Sequence, residues 1–239
     1  FQGAIDWLDR IGPRVYTAFV EGDRWKLYLK GLGLTLEMTV VALCFGLVLG
    51  LIVAVIRTAH DQQRVDRRKN PLLGLLNGIC QIYTTVIRGT PMLVQLFIWT
   101  FVIFPSVRNK VLIGFIGLGA YVAEIVRGGL MSVDIGQSEA SRSLGMNYLD
   151  TMRFIVVPQA FKNILPSLGN EFITLFKDTS LVQAIGGTEL LYYASTIGGR
   201  TFDYMPPLIG IAVMYLVVVI VLTWLQSKLE RRLRQSDRR

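Results

Sequence analysis

The chain has 239 residues, 52% of them hydrophobic and only 18% charged, with a mean hydropathy of +0.47; soluble domains of this size carry about a quarter charged residues, so the bilayer is the expected solvent. The net charge of +8 does not point to nucleic acid, because the basic residues flank apolar runs and form no stripe interleaved with aromatics. One histidine, His60, and two cysteines, Cys44 and Cys80, in apolar stretches without CxxC spacing, give almost no material for a His-dependent triad, a metal site or a disulfide. Both cysteines read as small packing residues.

The first residues lack the basic start and apolar centre of a cleavable signal peptide, and the missing initiator Met suggests a trimmed chain or part of a longer one. From Ile5 to Val20, Ile5, Leu8, Ile11, Val15, Tyr16 and Phe19 recur at helical spacing with Asp6, Asp9, Arg10 and Arg14 between them. This predicts an amphipathic interfacial helix within residues 1–26. A membrane domain over 27–228 and a basic cytoplasmic tail over 229–239 follow.

The first span is expected from about Leu27 to Ile56, with Gly46 and Gly50 as a small-residue face. Arg57, Arg64, Arg67, Arg68 and Lys69 then read as a short cytoplasmic loop by the positive-inside rule. The apolar region Leu72 to Phe104 is too long for one helix and is interrupted at Arg88-Gly89-Thr90-Pro91. A kink or restart is expected there, since Pro lacks a donor and disfavours helix in the residue before it.

A third span covers about Val111 to Gly128, and a polar segment reaches Lys162. An apolar region to Ile185, a Gly-containing connection and a last span ending at Lys228 complete the chain. The all-α bundle of about five spans has its N-terminus outside and its basic C-terminus in the cytoplasm. Arg10, Arg14, Arg24, Lys26 and Lys30 lie against that orientation, though Asp6, Asp9, Glu21 and Asp23 accompany them.

The segment at about 133–158 is polar and helix-forming yet lies between spans. Helices from about Gln137 to Leu144 and Tyr148 to Val156, with a tight turn at Gly145, would make a helix-turn-helix suited to a groove on a partner. Glu139, Ala140, Gly145, Ile155 and Pro158 fall on the spacing Glu-Ala-Ala, three residues, Gly, nine residues, Ile, one residue, Leu-Pro. Ser141 stands for the second Ala and Val157 for Leu.

That pattern resembles the loop by which permease subunits of bacterial ABC importers dock onto a separate ATPase. Three further stretches narrow the resemblance to polar amino-acid importers: Arg88 to Gln95, Ala123 to Gly129, and Asn170-Glu171-Phe172 running into Lys177-Asp178-Thr179-Ser180-Leu181. It implies a multi-pass cytoplasmic (inner) membrane subunit that performs no catalysis. Its partners would be ABC ATPases, an external substrate-binding protein and a second permease subunit, as homodimer or heterodimer. No cofactor belongs to this chain; ATP and magnesium would sit in the ATPase. Gly136, Glu139, Ala140, Ser141, Leu144, Gly145 and Pro158 would form the docking surface. One departure is the stretch before Glu124, shorter than in the family and reading Gly117-Leu118-Gly119-Ala120-Tyr121.

Charges inside spans cost at least a few kcal/mol and persist where they face protein or water. Arg88, Thr90, Glu124, Glu171, Lys177, Asp178, Thr179 and Ser180 are therefore candidate substrate contacts for a zwitterion. Internal ion pairing, Glu124 or Glu171 to Lys177, is the plainer expectation, and Thr179 and Ser180 could instead cap a helix restarting at Leu181. An ion- or proton-coupled secondary transporter or channel using Glu124 and Asp178 is the rival reading. An intramembrane enzyme finds no converging nucleophile and base.

Overall fold

The computed structural model describes residues 2–65, 70–106 and 122–236, and among them every regular element is helical. Parts of three sequence expectations lie outside the described residues. These are the third span before residue 122, with its Gly117 to Tyr121 stretch; the centre of the basic loop, Arg67 to Lys69; and the last three residues.

Helix α1, Gln2–Phe19, leads through a 3-10 turn, Glu21–Asp23, into α2, Trp25–Val65. The 41 residues of α2 run about 60 Å at 1.5 Å per residue, twice a hydrocarbon core of about 30 Å, so α2 tilts or projects beyond it. The expected end at Ile56 is thus corrected: nothing in Arg57 to Val65 breaks a helix, and Arg57 is a helical residue facing protein. Tyr28, Gly31, Thr35, Met38, Thr39, Ala42, Gly46 and Gly50 share the buried face of α2. Cys44 is exposed, so it is no packing residue within this chain, whereas Cys80 is buried.

Asn70 caps α3, Pro71–Gly89, by accepting from Leu72 N at 3.0 Å, and Pro71 supplies the preset first turn. The chain breaks at Thr90-Pro91 and restarts as α4, Met92–Phe97, which continues as a π-helical turn, Ile98–Ile103. The two halves meet at 112°, far more than a kink, so both cannot run along the bilayer normal. The carbonyls freed by the break are satisfied by buried Gln95, whose Nε2 donates to Ile87 O at 2.5 Å and Thr90 O at 2.8 Å.

Helix α5, residues 122–131, descends into the polar segment. There lie α6, Ile135–Ser143, and α7, Tyr148–Thr151, which runs through a π-helical turn, Met152–Val156, into α8, Val157–Asp178. A 3-10 turn, Thr179–Ile185, ends α8. Helix α9, Leu190–Thr201, absent from the sequence expectation, occupies what was expected as a plain connection. Helix α10, Met205–Ser236, then runs past Lys228 into the basic tail.

Among the described residues α2 and α10 are long and apolar enough to cross a bilayer, and the bent α3–α4 pair would make a third span. Helix α8 has 22 residues, enough for a span, but Lys162, Asn163, Asn170, Glu171 and Lys177 make it polar.

Four buried apolar clusters hold the bundle among the described residues. The largest joins Ala54 of α2, Val122 and Val126 of α5, Val133 just beyond it, Val156 of the π-helical turn, and Ala160 and Ile164 of α8. The next joins Tyr28, Leu190, Ala194, Ile197 and Ile211. Phe19 stacks on Tyr28 at 4.7 Å, and Arg14 of α1 grips Asp203 with two hydrogen bonds, 2.6 and 2.7 Å. The end of α1 is thereby fixed against α2 and the α9–α10 turn.

Candidate functional site

The polar segment folds as its local chemistry dictates. Asp134 caps α6, accepting from Gly136 N at 2.6 Å, and Asn147 caps α7, accepting from Asp150 N at 2.9 Å. Between them Gly145 adopts φ +84°, and an added Cβ there would meet nothing within 4 Å. The left-handed backbone, and not crowding, demands glycine. Ser141, one of the two departures from the docking pattern, is 4% exposed, and its hydroxyl lies 3.0 Å from that of Thr151. An alanine would lose this tie between α6 and α7.

With Ser141 turned inward, Glu139, Ala140, Leu144 and Pro158 are exposed, as are Gly136 and Gly145. Leu144 is 85% exposed, and in the same segment Ile135 and Leu149 are 75% and 74% exposed. Ile135 and Leu149 were missed in the sequence, where apolar residues in a polar loop give no sign of which way they face. Three exposed aliphatic side chains and an exposed carboxylate on one short helix-turn-helix give a surface suited to a protein groove.

Several charged side chains gather around Glu124. Glu124 on α5 accepts through Oε1 from Arg57 of α2. Its Oε2 accepts from Arg127 Nε at 3.1 Å and Nη2 at 3.0 Å. Arg88, at the α3–α4 break, brings Nη1 to 3.9 Å of the same oxygen. The expected pairing of Glu124 with Lys177 is therefore corrected: guanidiniums from α2, α3 and its own helix surround it, because α5 packs against the buried side of α2. Arg57, missed as a loop residue, is the partner that ties Glu124 to α2, and it also reaches Thr84 Oγ1 at 3.4 Å. Only the boundary of α2 concealed it.

Glu171 and Asp178 lie within electrostatic reach of one another, and Arg88 within reach of Glu171. Arg88 thus stands between the Glu124 cluster and the acidic pair of α8. Lys177 is exposed and makes no ion pair within 4.0 Å among the described residues, so the expected Glu171–Lys177 pair is likewise not formed. Thr179 and Ser180 cap no restart at Leu181. Their hydroxyls donate backwards to Phe176 O and Lys177 O, each at 2.8 Å, tightening the end of α8 into its 3-10 turn. Thr90 Oγ1 donates to Val86 O at 2.9 Å and accepts from Gln95, so it serves the helix break.

The chain is similar to known proteins over most of its length. Residues 71–235 match the family described as the inner membrane component of binding-protein-dependent transport systems. The chain is 34% identical to the arginine transport system permease protein ArtQ of Bacillus subtilis, over 87% of this chain and 93% of that one. It is also 34% identical to the L-cystine transport system permease protein TcyB of the same organism, over 93% of each. A solved amino acid ABC transporter with histidines superimposes with a TM-score of 0.77 at 37% identity, covering 87% of this chain and 94% of that one. This chain belongs to the family of inner-membrane components of binding-protein-dependent transport systems, and it is a membrane permease subunit of the ABC importer type.

Proposed function

We propose that this permease carries polar amino acids into the cytoplasm by alternating access, driven by a separate ATPase that docks on α6 and α7. The observation carrying this reading is the exposed turn at Gly145, with Leu144, Ile135, Leu149 and Glu139 all exposed on the helices that flank it. The amino-acid class follows the printed functions of the relatives, arginine and L-cystine transport. The basic residues after α2 and at the end of α10 favour a cytoplasmic C-terminus, with the N-terminus outside. ATP and magnesium belong to the ATPase, an external binding protein delivers substrate, and a second permease subunit completes the pathway.

Glu171, Lys177 and Asp178, with Arg88 facing them from the helix break, are assigned to the substrate. Acidic groups suit the ammonium of a zwitterion and basic ones its carboxylate, and two carboxylates beside one lysine on α8 leave room for a basic side chain. The docking turn sits directly on the largest apolar cluster, that of α2, α5 and α8. A push there moves those helices as a unit and re-aims the charged groups above.

The test is reconstitution with ATPase and binding protein in vesicles. Glu139→Lys and Leu144→Asp are expected to abolish stimulation of ATP hydrolysis by the amino-acid-loaded binding protein, and transport with it, while membrane insertion persists. Transport at the normal rate in both variants would overturn the docking role.

A further inference from the structure

Glu189 is a fully buried carboxylate, at 0% exposure, to which the docking turn and the charged interior assign no part. It caps α9: Leu191 N donates to Oε2 and Tyr192 N to Oε1, both at 2.7 Å. Residues favoured as N-caps are the shorter Ser, Thr, Asp and Asn. Glutamate is longer than a cap needs, and its length brings Oε2 to 3.1 Å of the Tyr215 hydroxyl on α10, which donates to it.

Tyr215 lies halfway along the charge-free run Tyr204 to Ser227, at a depth where a carboxylate is expensive unless fully partnered. A cap alone requires no ionisable group there. The Thr35 hydroxyl of α2 accepts from Leu190 N at 3.1 Å, and Thr35 and Thr179 also reach the Tyr215 hydroxyl. The Tyr215 ring meets Phe176 edge-on, with centroids 5.3 Å apart. Phe176 and Thr179 bracket Lys177 and Asp178 in sequence, are joined by the Thr179 Oγ1 to Phe176 O bond, and both bear on Tyr215.

We propose that Glu189, acting through Tyr215, is a positioning residue for the substrate site: it fixes the tyrosine against Phe176 and Thr179 and so sets the direction in which Lys177 and Asp178 present their charges. This rests on the assignment of Lys177 and Asp178 to the substrate. Hydrogen bonds link α9 to Tyr215 of α10, the Tyr215 ring meets Phe176 near the end of α8, and Thr35 ties α9 to α2, so four helices converge on one short segment.

The test uses the assembled permease–ATPase complex in detergent, without binding protein, and equilibrium binding of the common amino acids and L-cystine. Tyr215→Phe removes one oxygen and keeps the ring on Phe176; Glu189→Asp keeps a capping carboxylate and withdraws it from Tyr215. Both are expected to weaken binding of whichever amino acid the wild type binds by about five- to tenfold with unchanged stoichiometry. A purely structural role would lower the melting temperature or the binding-competent fraction and leave affinity alone. Affinities within twofold of wild type for both variants, beside a loss of tenfold or more in Lys177→Ala or Asp178→Asn, would overturn the proposal and leave the site standing. Unchanged affinity in all four, or no binding by the wild type, would instead remove the site assignment and this proposal with it.

Discussion

Arg57 and Glu124, 67 residues apart in sequence, form an ion pair between α2 and α5 with side chains only 20% and 18% exposed. Arg127 and Arg88 crowd the same carboxylate, so a single negative charge holds three positive ones together at the junction of α2, the α3–α4 break and α5. Glu124→Gln leaves those cations facing one another. Since removing one member of a buried pair strands the other, a loss of about 3 kcal/mol is expected. It is measured as a fall in the melting temperature of the detergent-solubilised protein. Arg57→Met with Glu124→Leu should recover part of that loss, because the desolvation of those two charges disappears together while Arg127 and Arg88 stay without their carboxylate; a double variant no better than Glu124→Gln would count against the ion-pair account.

The close approach that makes this pair possible is set by Gly50. A Cβ there would stand 2.7 Å from Ala123 N, a backbone atom of α5 that cannot turn aside. Gly50→Val should force α2 and α5 apart and cost about 1–3 kcal/mol. The check is thermal unfolding, together with increased labelling of a cysteine introduced at Thr84.

At the turn between α6 and α7, Gly145→Ala puts a Cβ on a residue at φ +84° with no crowding to aggravate it. The expected cost is about 1–2 kcal/mol, localised to the turn. Faster hydrogen exchange over 141–151, with little change in global melting, would report it. An unaltered exchange pattern would show that the turn tolerates the side chain.

The Arg14–Asp203 contact gives a pH dependence with a definite sign. The Arg14 hydrogen bonds hold the Asp203 carboxyl below its ordinary value. Its contribution to docking α1 is therefore complete above the unfolded carboxylate value of about 3.9 and is lost as pH falls through the lower folded value. Proteolytic cleavage between α1 and α2 should rise on acidification below about pH 4, and Arg14→Gln should show elevated cleavage at neutral pH with that acid step removed. High salt should weaken the contact, since both groups are solvent-accessible.

The sequence alone determined that the chain lives in a bilayer, that a helix breaks at Thr90-Pro91, and that a polar helix-turn-helix with glycine at its turn lies between spans. These depend on composition, on the missing donor of proline and on the backbone freedom of glycine, all properties of a residue and its near neighbours. Tertiary structure decided which charges meet. Glu124 takes Arg57 and not Lys177, Arg14 finds Asp203 across 189 residues, and Glu189, unremarkable in sequence, reaches Tyr215. Such pairings depend on how far each helix is rotated and shifted along its neighbour, and close approaches such as Gly50 against Ala123 fix that register. A local pattern carries no record of it, so the helix-turn-helix could be read from its local pattern while the partners of the buried charges could not.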